Sequence, residues 1–396
     1  MSANSWKDFL DTLLPCEALI EQSWMAGEPQ FQAEYHRQLA AHLSIGYFLY
    51  FNGDPDHPDW TPLFNQVQAA QPNPDDTYYW SSLRGDGTYR VYGDRGNVHM
   101  IMFTVANDLM GMSEPCGPTL GVFDLAEMQI GADGAFEIIL SRDRPPGYAG
   151  NWIPLDPRVN YILVRQRHYD WAHETGTRIA IEALHPAPPK PRMSIAETRA
   201  KLGELALFAQ RLSRVFFQYH NRLRDKGLIN KVEHTSFADL GGGFFTKTGG
   251  QKQVYWQGIF EFGPGEAIII DSDMPEKVGY WNIQVNDLLF NTVEYVYRQS
   301  SINGFQAAPS PDGRLWAVLS VEDPGVANWL DTAGYYEGVV VGRWLDFSSA
   351  PTPSMRRVRL SEVHSLLPAH TPMVSPEQRA ASIRARVKGH QMRRRW

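Results

Sequence analysis

Apolar residues recur along this chain in two rhythms. Leu10, Leu13, Leu14, Leu19 and Ile20, then Phe31, Tyr35, Leu39, Leu43 and Phe48, fall at helical intervals and predict N-terminal helices. Residues 52–59, dense in Pro, Gly and Asp, predict a loop. From Thr77 onward the rhythm is two. Val98–Val105, Tyr161–Arg167 and Arg178–Leu184 read as strands of a first β block. Asp86-Gly87, Asp133-Gly134 and Asp312-Gly313 precede alternating apolar runs and predict hairpins, because type I′ turns need positive φ at both central positions. After the proline-rich stretch 185–192, Ser194 and Glu197 form a capping box. Ile195, Leu202, Leu205, Ala209, Leu212, Phe216, Tyr219 and Leu223 then mark one long amphipathic helix ending near Gly227, its stripe packed on a sheet. Strands resume at 254–262, 267–270, 280–285, 315–321 and 339–345. Ser375-Pro376 starts a last helix.

Strands flank the long helix without alternating with helices, which disfavours a doubly wound sheet. The predicted fold class is mainly β (α+β). Its body is a large antiparallel, jelly-roll-like β-sandwich with N-terminal helices, one inserted helix and a C-terminal helix. Two separate β units remain an open alternative. The expected segments are 1–72, 73–192, 193–228, 229–366 and 367–396.

Composition adds limits. Hydrophobic residues make up 43% and charged residues 20% of 396 positions, the balance of a folded chain. A net charge of −7 gives no broad field for nucleic acid, so none is expected as a partner. Only Cys16 and Cys116 occur, which fits a reducing compartment. The N-terminus is broken by Lys7, Asp8 and Asp11 and lacks a signal-peptide core. No apolar run approaches the ~20 residues of a membrane span. The expectation is a cytoplasmic protein without membrane contact; a homo-oligomer is compatible with the sequence. Arg379, Arg384, Arg386, Lys388 and Arg393–Arg395 make the C-terminus basic, and we read it as a solvated tail.

No nucleophile elbow, phosphate loop or paired-cysteine zinc site is present, and no cofactor is called for. Gly241–Gly243 with Lys247-Thr248 has the wrong spacing for a phosphate loop and reads as a mobile lid or turn. His168, Asp170 and His173, with Glu174, are the densest metal-type cluster, but they follow a strand end where charges are normally solvated, and no metal is assigned. His99 lies inside an apolar run, sharing a face with Ile101 and Phe103: a core histidine, or a base in a cavity. Between Tyr280 and Arg343, hydrogen-bonding residues crowd into aromatic sequence, and such groups pin loops or line a pocket.

Two sets of blocks carry a family resemblance. They are Asn73–Tyr79 with Asp86–Gly93, and Gly279–Gln284 with Arg298–Asn303, Asp323–Gly325 and Asn328–Thr332. They resemble a bacterial family catalogued as domain of unknown function twelve-fourteen. The resemblance implies a jelly-roll-like β-sandwich and no established reaction. Many relatives carry a second, N-terminal β domain, a position helices occupy here.

The polar–aromatic cluster suggests an enzyme acting on a small, largely apolar ligand by cofactor-independent acid–base chemistry: a lyase, hydratase or hydrolase. Glu294 or Asp331 would be the acid/base, with His99 a further candidate. Arg298 and Arg343 would neutralise negative charge. Asn286, Asn291 and Asn303 would orient substrate, with Tyr78, Trp281, Asn328 and Trp329 lining the site. The alternatives are a carbohydrate- or lipid-binding module with Trp281, Trp329 and Trp344 as platforms, or an assembly protein docking through its last helix.

Overall fold

A computed structural model describes residues 5–65, 67–235 and 253–393. The glycine-rich stretch 241–250 and residues 394–396 lie outside the described residues. In chain order the elements are α1 (Trp6–Glu17), α2 (Pro29–Tyr47), β1 (Asp76–Ser82), β2 (Tyr89–Asp94), β3 (Met100–Ala106), β4 (Thr119–Asp124), β5 (Ala135–Ser141), β6 (Asn151–Pro154), β7 (Tyr161–Arg167) and β8 (Arg178–Ala183). Then come α3 (Ile195–Asp225), β9 (Glu233–Thr235), β10 (Gln253–Glu261), β11 (Glu266–Ser272), β12 (Val278–Asn286), β13 (Ser301–Asn303), β14 (Leu315–Ser320), β15 (Trp329–Asp331), β16 (Glu337–Phe347), β17 (Ser354–Arg359), α4 (Val363–Leu366) and α5 (Pro376–Arg393).

The fold is mainly β, as the two-residue rhythm predicts. Among the described residues the strands form four sheets, ordered β1-β7-β3-β4, β6-β5-β2-β8, β13-β12-β16-β10-β9 and β15-β14-β11-β17. All pairings are antiparallel except β5–β6 and β14–β15. The first two sheets close on an apolar layer that includes Phe103, Ile138 and Val164. The last two close on Trp256, Ile283 and Trp344. The strands before α3 in the chain thus form one sandwich and those after it another, within one mainly β body. Two sheets, β1-β7-β3-β4 and β13-β12-β16-β10-β9, turn their second faces toward each other. A central core unites them with the helices through Ile45 of α2, Phe208 and Phe216 of α3, Leu163 of β7 and Val341 of β16.

The capping box of α3 forms as read: Ser194 Oγ accepts from Glu197 N–H and the Glu197 carboxylate accepts from Ser194 N–H. Gly227 follows at φ +71°, a left-handed stop. The Asp-Gly signals behave differently. Each falls between strands of different sheets, β1/β2, β4/β5 and β13/β14, so none closes a hairpin. Gly134 (+84°) and Gly313 (+72°) have positive φ, but Asp133 and Asp312 do not, so the paired left-handed geometry of type I′ is absent. Instead their carboxylates bond the N–H two residues on, at Ala135 and Arg314 (both 3.0 Å). The turn is legible; which strand lies beyond it is not.

The C-terminal helix corrects a second reading. Arg379, Arg386 and Arg393 recur every seven residues and are buried. Arg386 and Arg393 lie over Trp171, 4.3 and 4.0 Å from its ring centroid, and Arg379 lies over Trp329 at 5.3 Å. Their N–H groups reach Ser301 Oγ (2.5 Å), the Pro74 carbonyl (2.9 Å) and Gln299 Oε1 (2.7 Å). The guanidinium face suits aromatic rings and its fork suits carbonyls, so a basic stripe docks where an apolar one would be expected. Arg384 stays exposed.

Candidate functional site

Strand register assembles a polar face inside the central core. On β1 and β7, Asp76 stands opposite Arg167 and Tyr78 opposite Arg165. On the facing sheet, Arg343 of β16 stands opposite Tyr255 of β10 and Asn282 of β12. Along β12, Trp281, Ile283 and Val285 fill the second sandwich, so Tyr280, Asn282 and Gln284 point the other way, toward the first. Both parities are buried, one apolar and one polar.

A partly open cavity of about 60 Å³ lies at this junction. Its charged lining is Arg165, Arg167, Arg343 and Asp76, a net of +2. Arg167 and Asp76 are paired in a two-pronged salt bridge (2.7 and 2.8 Å). Burial alone would pull Arg167 down, but Asp76 outweighs it and holds the guanidinium above its ordinary pKa. Arg165 donates to Thr104 Oγ1 (2.9 Å) and lies over the Tyr78 ring. Arg343 donates to Asn282 Oδ1 (3.2 Å) and Gln284 Oε1 (2.5 Å) and lies over Tyr255 at 5.0 Å. These partners are neutral, and no salt bridge neutralises Arg343 among the described residues.

Two lining groups stand out. Gln71 is 4% exposed, and neither its Oε1 nor its Nε2 has a hydrogen-bond partner among the described residues. Arg167, 2% exposed, has its pair to Asp76 but no partner for Nη1. Buried polar groups are otherwise almost always bonded. Gln71 also sits at φ +57°, with Gln68 at +54° and Ala70 at +66°. Non-glycine residues held there cost roughly 1–3 kcal/mol each, strain that marks sites more often than scaffolding. The lining also includes the apolar Leu109, Met110, Phe208 and Leu212.

Beside the cavity a buried knot joins the two sandwiches. Asp75 accepts from Tyr280 Oη (2.5 Å), Trp171 Nε1 (2.8 Å) and Asn303 Nδ2 (2.8 Å). Burial raises the Asp75 pKa, opposed by these donors.

A second, wider cleft of about 550 Å³ lies near α2. Its charged lining is Glu34, Asp287, Glu294 and Arg37, a net of −2. Asp287 is 2% exposed and organises residues 287–291: Oδ1 accepts from the N–H of Leu289 and Asn291 (both 2.9 Å) and Oδ2 from Asn291 Nδ2 (2.8 Å). Burial pushes its pKa up to about 6 against those bonds.

Of the residues proposed from sequence, Tyr78 and Arg343 meet at the cavity. Glu294 lines the cleft, its Oε1 accepting from the N–H of Val296 (2.7 Å) and Tyr297 (2.9 Å), and Asn291 belongs to the Asp287 loop. The others disperse. Asp331 pairs with exposed Arg298 (3.0 Å) and caps Ala333. Asn303 joins the Asp75 knot, Asn286 accepts from Gln284, and Asn328 pins Ala308 and Trp316. Trp281 and Trp344 pack on each other in the second sandwich (6.1 Å), and the Trp329 indole bonds Ser320. They offer no open platform. His99 is exposed just before β3, stacked on Tyr169 with Nε2 2.9 Å from the Gly279 carbonyl, which corrects its reading as a core residue. His168 is fully buried, not solvated at a strand end, whereas His173 is exposed on Asp170 (2.7 Å). Among the described residues no three such side chains converge on a metal position. Asp76, Arg165, Arg167, Tyr255 and Gln71 were missed. Of these, Arg165 and Arg167 carried a weak signal: charged residues of one parity in a strand whose other parity is mostly apolar.

Residues 81–170 match the family model described as Protein of unknown function (DUF1214). The resemblance read from the sequence blocks holds, and the matched segment includes Arg165 and Arg167. A crystal structure of an uncharacterised protein from Burkholderia cenocepacia superimposes with a TM-score of 0.82 at 26% identity, covering 90% of this chain and 97% of that one. A protein from Vibrio parahaemolyticus aligns over 81% of this chain and 98% of its own, with a TM-score of 0.44 and 10% identity. No curated protein matches the sequence. No helix among the described residues is long and apolar enough to cross a membrane.

Proposed function

We propose that this chain binds a small organic anion in the cavity between its sandwiches. The observation that carries this reading is Gln71, buried at the wall of a net-positive cavity with neither side-chain polar atom bonded among the described residues. A buried amide without a partner costs about 1–3 kcal/mol, which a ligand's hydrogen bonds would recover. Arg343 supplies a desolvated positive charge balanced by amides alone. The lining favours binding over turnover. Among the described residues its one carboxylate, Asp76, is held by Arg167, and no histidine lines the cavity.

The test is thermal unfolding of the full chain in sodium acetate and sodium lactate against sodium chloride at equal ionic strength. A saturable rise in Tm with the organic anions, lost in Arg343→Gln, supports the reading. Equal, unsaturable shifts in all three salts overturn it.

The acid–base enzyme expected from the sequence has one supporting observation. Asp287, titrating near 6 on the same cleft as Glu294, lies in the range a general acid or base needs. A bell-shaped or sigmoid rate profile with a midpoint near 6, abolished in Asp287→Asn, would favour that second reading. Turnover indifferent to Asp287→Asn would remove it.

A further inference from the structure

Resting on the anion-binding reading, we infer that the ligand is a short 2-hydroxy carboxylate of the lactate and glycolate class. Three features of the cavity narrow the choice.

The first is size. On the scale where one water needs ~10–15 Å³, the 60 Å³ available holds roughly four to six heavy atoms. Acetate, glycolate, propionate and lactate fit. Benzoate, longer fatty acids and sugars exceed it.

The second is hydrogen-bond inventory. A carboxylate only accepts. It can take N–H groups from Arg343 and from the unpartnered Nη1 of Arg167. It cannot satisfy Gln71 Oε1, which needs a donor. The ligand must therefore carry an N–H or O–H close to its carboxylate. A hydroxyl donates to Oε1 or accepts from Nε2, so either orientation of the amide is served. An ammonium is the poorer donor here, because it would enter a lining with a net charge of +2.

The third is the apolar wall. Leu109, Met110, Phe208 and Leu212 offer a methyl-sized substituent dispersion contacts and no polar group. A monocarboxylate suits this wall; a second carboxylate would face it unpaired.

The experiment is isothermal titration of the full chain with sodium lactate, sodium propionate, lactamide and sodium phosphate at pH 7. Propionate removes only the hydroxyl and lactamide only the charge. Lactate should bind about tenfold more tightly than propionate, the equivalent of one good hydrogen bond. Lactamide and phosphate should bind more weakly than either carboxylate. In Gln71→Leu, lactate should fall to the affinity of propionate while propionate is retained, which also shows that the variant is folded. Equal affinity for lactate and propionate in the unaltered chain overturns the hydroxy-acid inference and leaves anion binding intact, as does tighter binding of phosphate. Absence of heat with every anion, together with a flat Tm, overturns both.

Discussion

The cavity and the cleft share one wall and carry opposite charge. The cavity is small, about 60 Å³, with a net lining charge of +2; the cleft is larger, about 550 Å³, with −2. Both are bounded by the chain from Gln68 to Gln71. Gln68 lines the cleft, and Ala70 and Gln71 line the cavity. The loop begun by Asp287 holds that segment: the Phe290 carbonyl accepts from Gln71 N–H (2.9 Å) and Thr292 N–H donates to the Gln68 carbonyl (2.8 Å). The difference lies in how each handles buried charge. In the cavity a carboxylate is fully paired and a neutral amide is left unsatisfied. In the cleft a carboxylate is held by backbone and amide N–H groups, with Arg37 no nearer than 3.7 Å, and remains costly to ionise. Pairing fixes structure, and leaving groups unpaired at low exposure prepares a place for something else.

The largest test of this contrast is the cavity's ion pair. Asp76→Ala leaves Arg167 charged and buried, a situation that costs about 3–5 kcal/mol. Urea unfolding should show a loss in that range. A loss under about 1 kcal/mol would mean that the pair is solvated and the cavity open to water.

The next test concerns Asp287, whose pKa rises from 3.8 to about 6 on folding. Between those values the native state holds more protons than the unfolded one, so stability falls as pH rises from about 4 to 6 and the full cost persists above 6. Two units correspond to about 3 kcal/mol. His42 and His220 act in the opposite sense. Burial lowers both to about 3, so they remove stability as pH falls below 6.5. Their contribution is common to the unaltered chain and Asp287→Asn and cancels in the difference. The variant's stability relative to the unaltered chain should therefore rise by about 3 kcal/mol between pH 4 and 7, read from urea midpoints. A difference independent of pH would place Asp287 in water.

These groups mark the border of what the sequence could tell. Ser194, Glu197 and Gly227 specify a helix from within a few residues, and the α3 boundaries follow. The apolar parity of β12 likewise reveals one buried face. Whether the other face is covered depends on the first sandwich, more than 100 positions upstream. Within the strand Tyr161–Arg167, nothing local shows that Arg165 and Arg167 face a covered surface. Arg386 and Arg393 looked solvated because only Trp171, over 200 positions upstream, makes their burial favourable. Trp281 and Trp344 were singled out because aromatics serve packing and recognition alike, and sequence does not separate the two. Gln71 gave no signal, since a lone glutamine beside a proline is ordinary in any loop.

Gln71 itself supplies the third test. Removing a buried side chain normally destabilises. Here Gln71→Gly removes an unsatisfied amide and relieves a left-handed backbone, so the full chain should gain about 1 kcal/mol in urea while its affinity for lactate falls to that of propionate. A loss of stability instead would show that the amide is bonded in solution and that the strain is structural.

The smallest effect should come from a pair that sequence ranked highly. Arg298 reaches Asp331 at 3.0 Å, but its side chain is 48% exposed. Asp331 also accepts from Ala333 N–H at 2.7 Å, so it keeps a partner when the arginine is removed. Exposed pairs contribute about 0.2–1 kcal/mol, and salt screens them. Arg298→Ala should therefore shift the urea midpoint by less than 1 kcal/mol in energy, and the shift should shrink further in high salt. An anion's effect on Tm should be unchanged in the variant, because Arg298 is not among the residues lining the cavity. Should Arg298→Ala abolish the lactate response while Arg343→Gln preserves it, the binding surface would lie on the Asp331 side of the second sandwich, and the assignment of anion recognition to the cavity would fail.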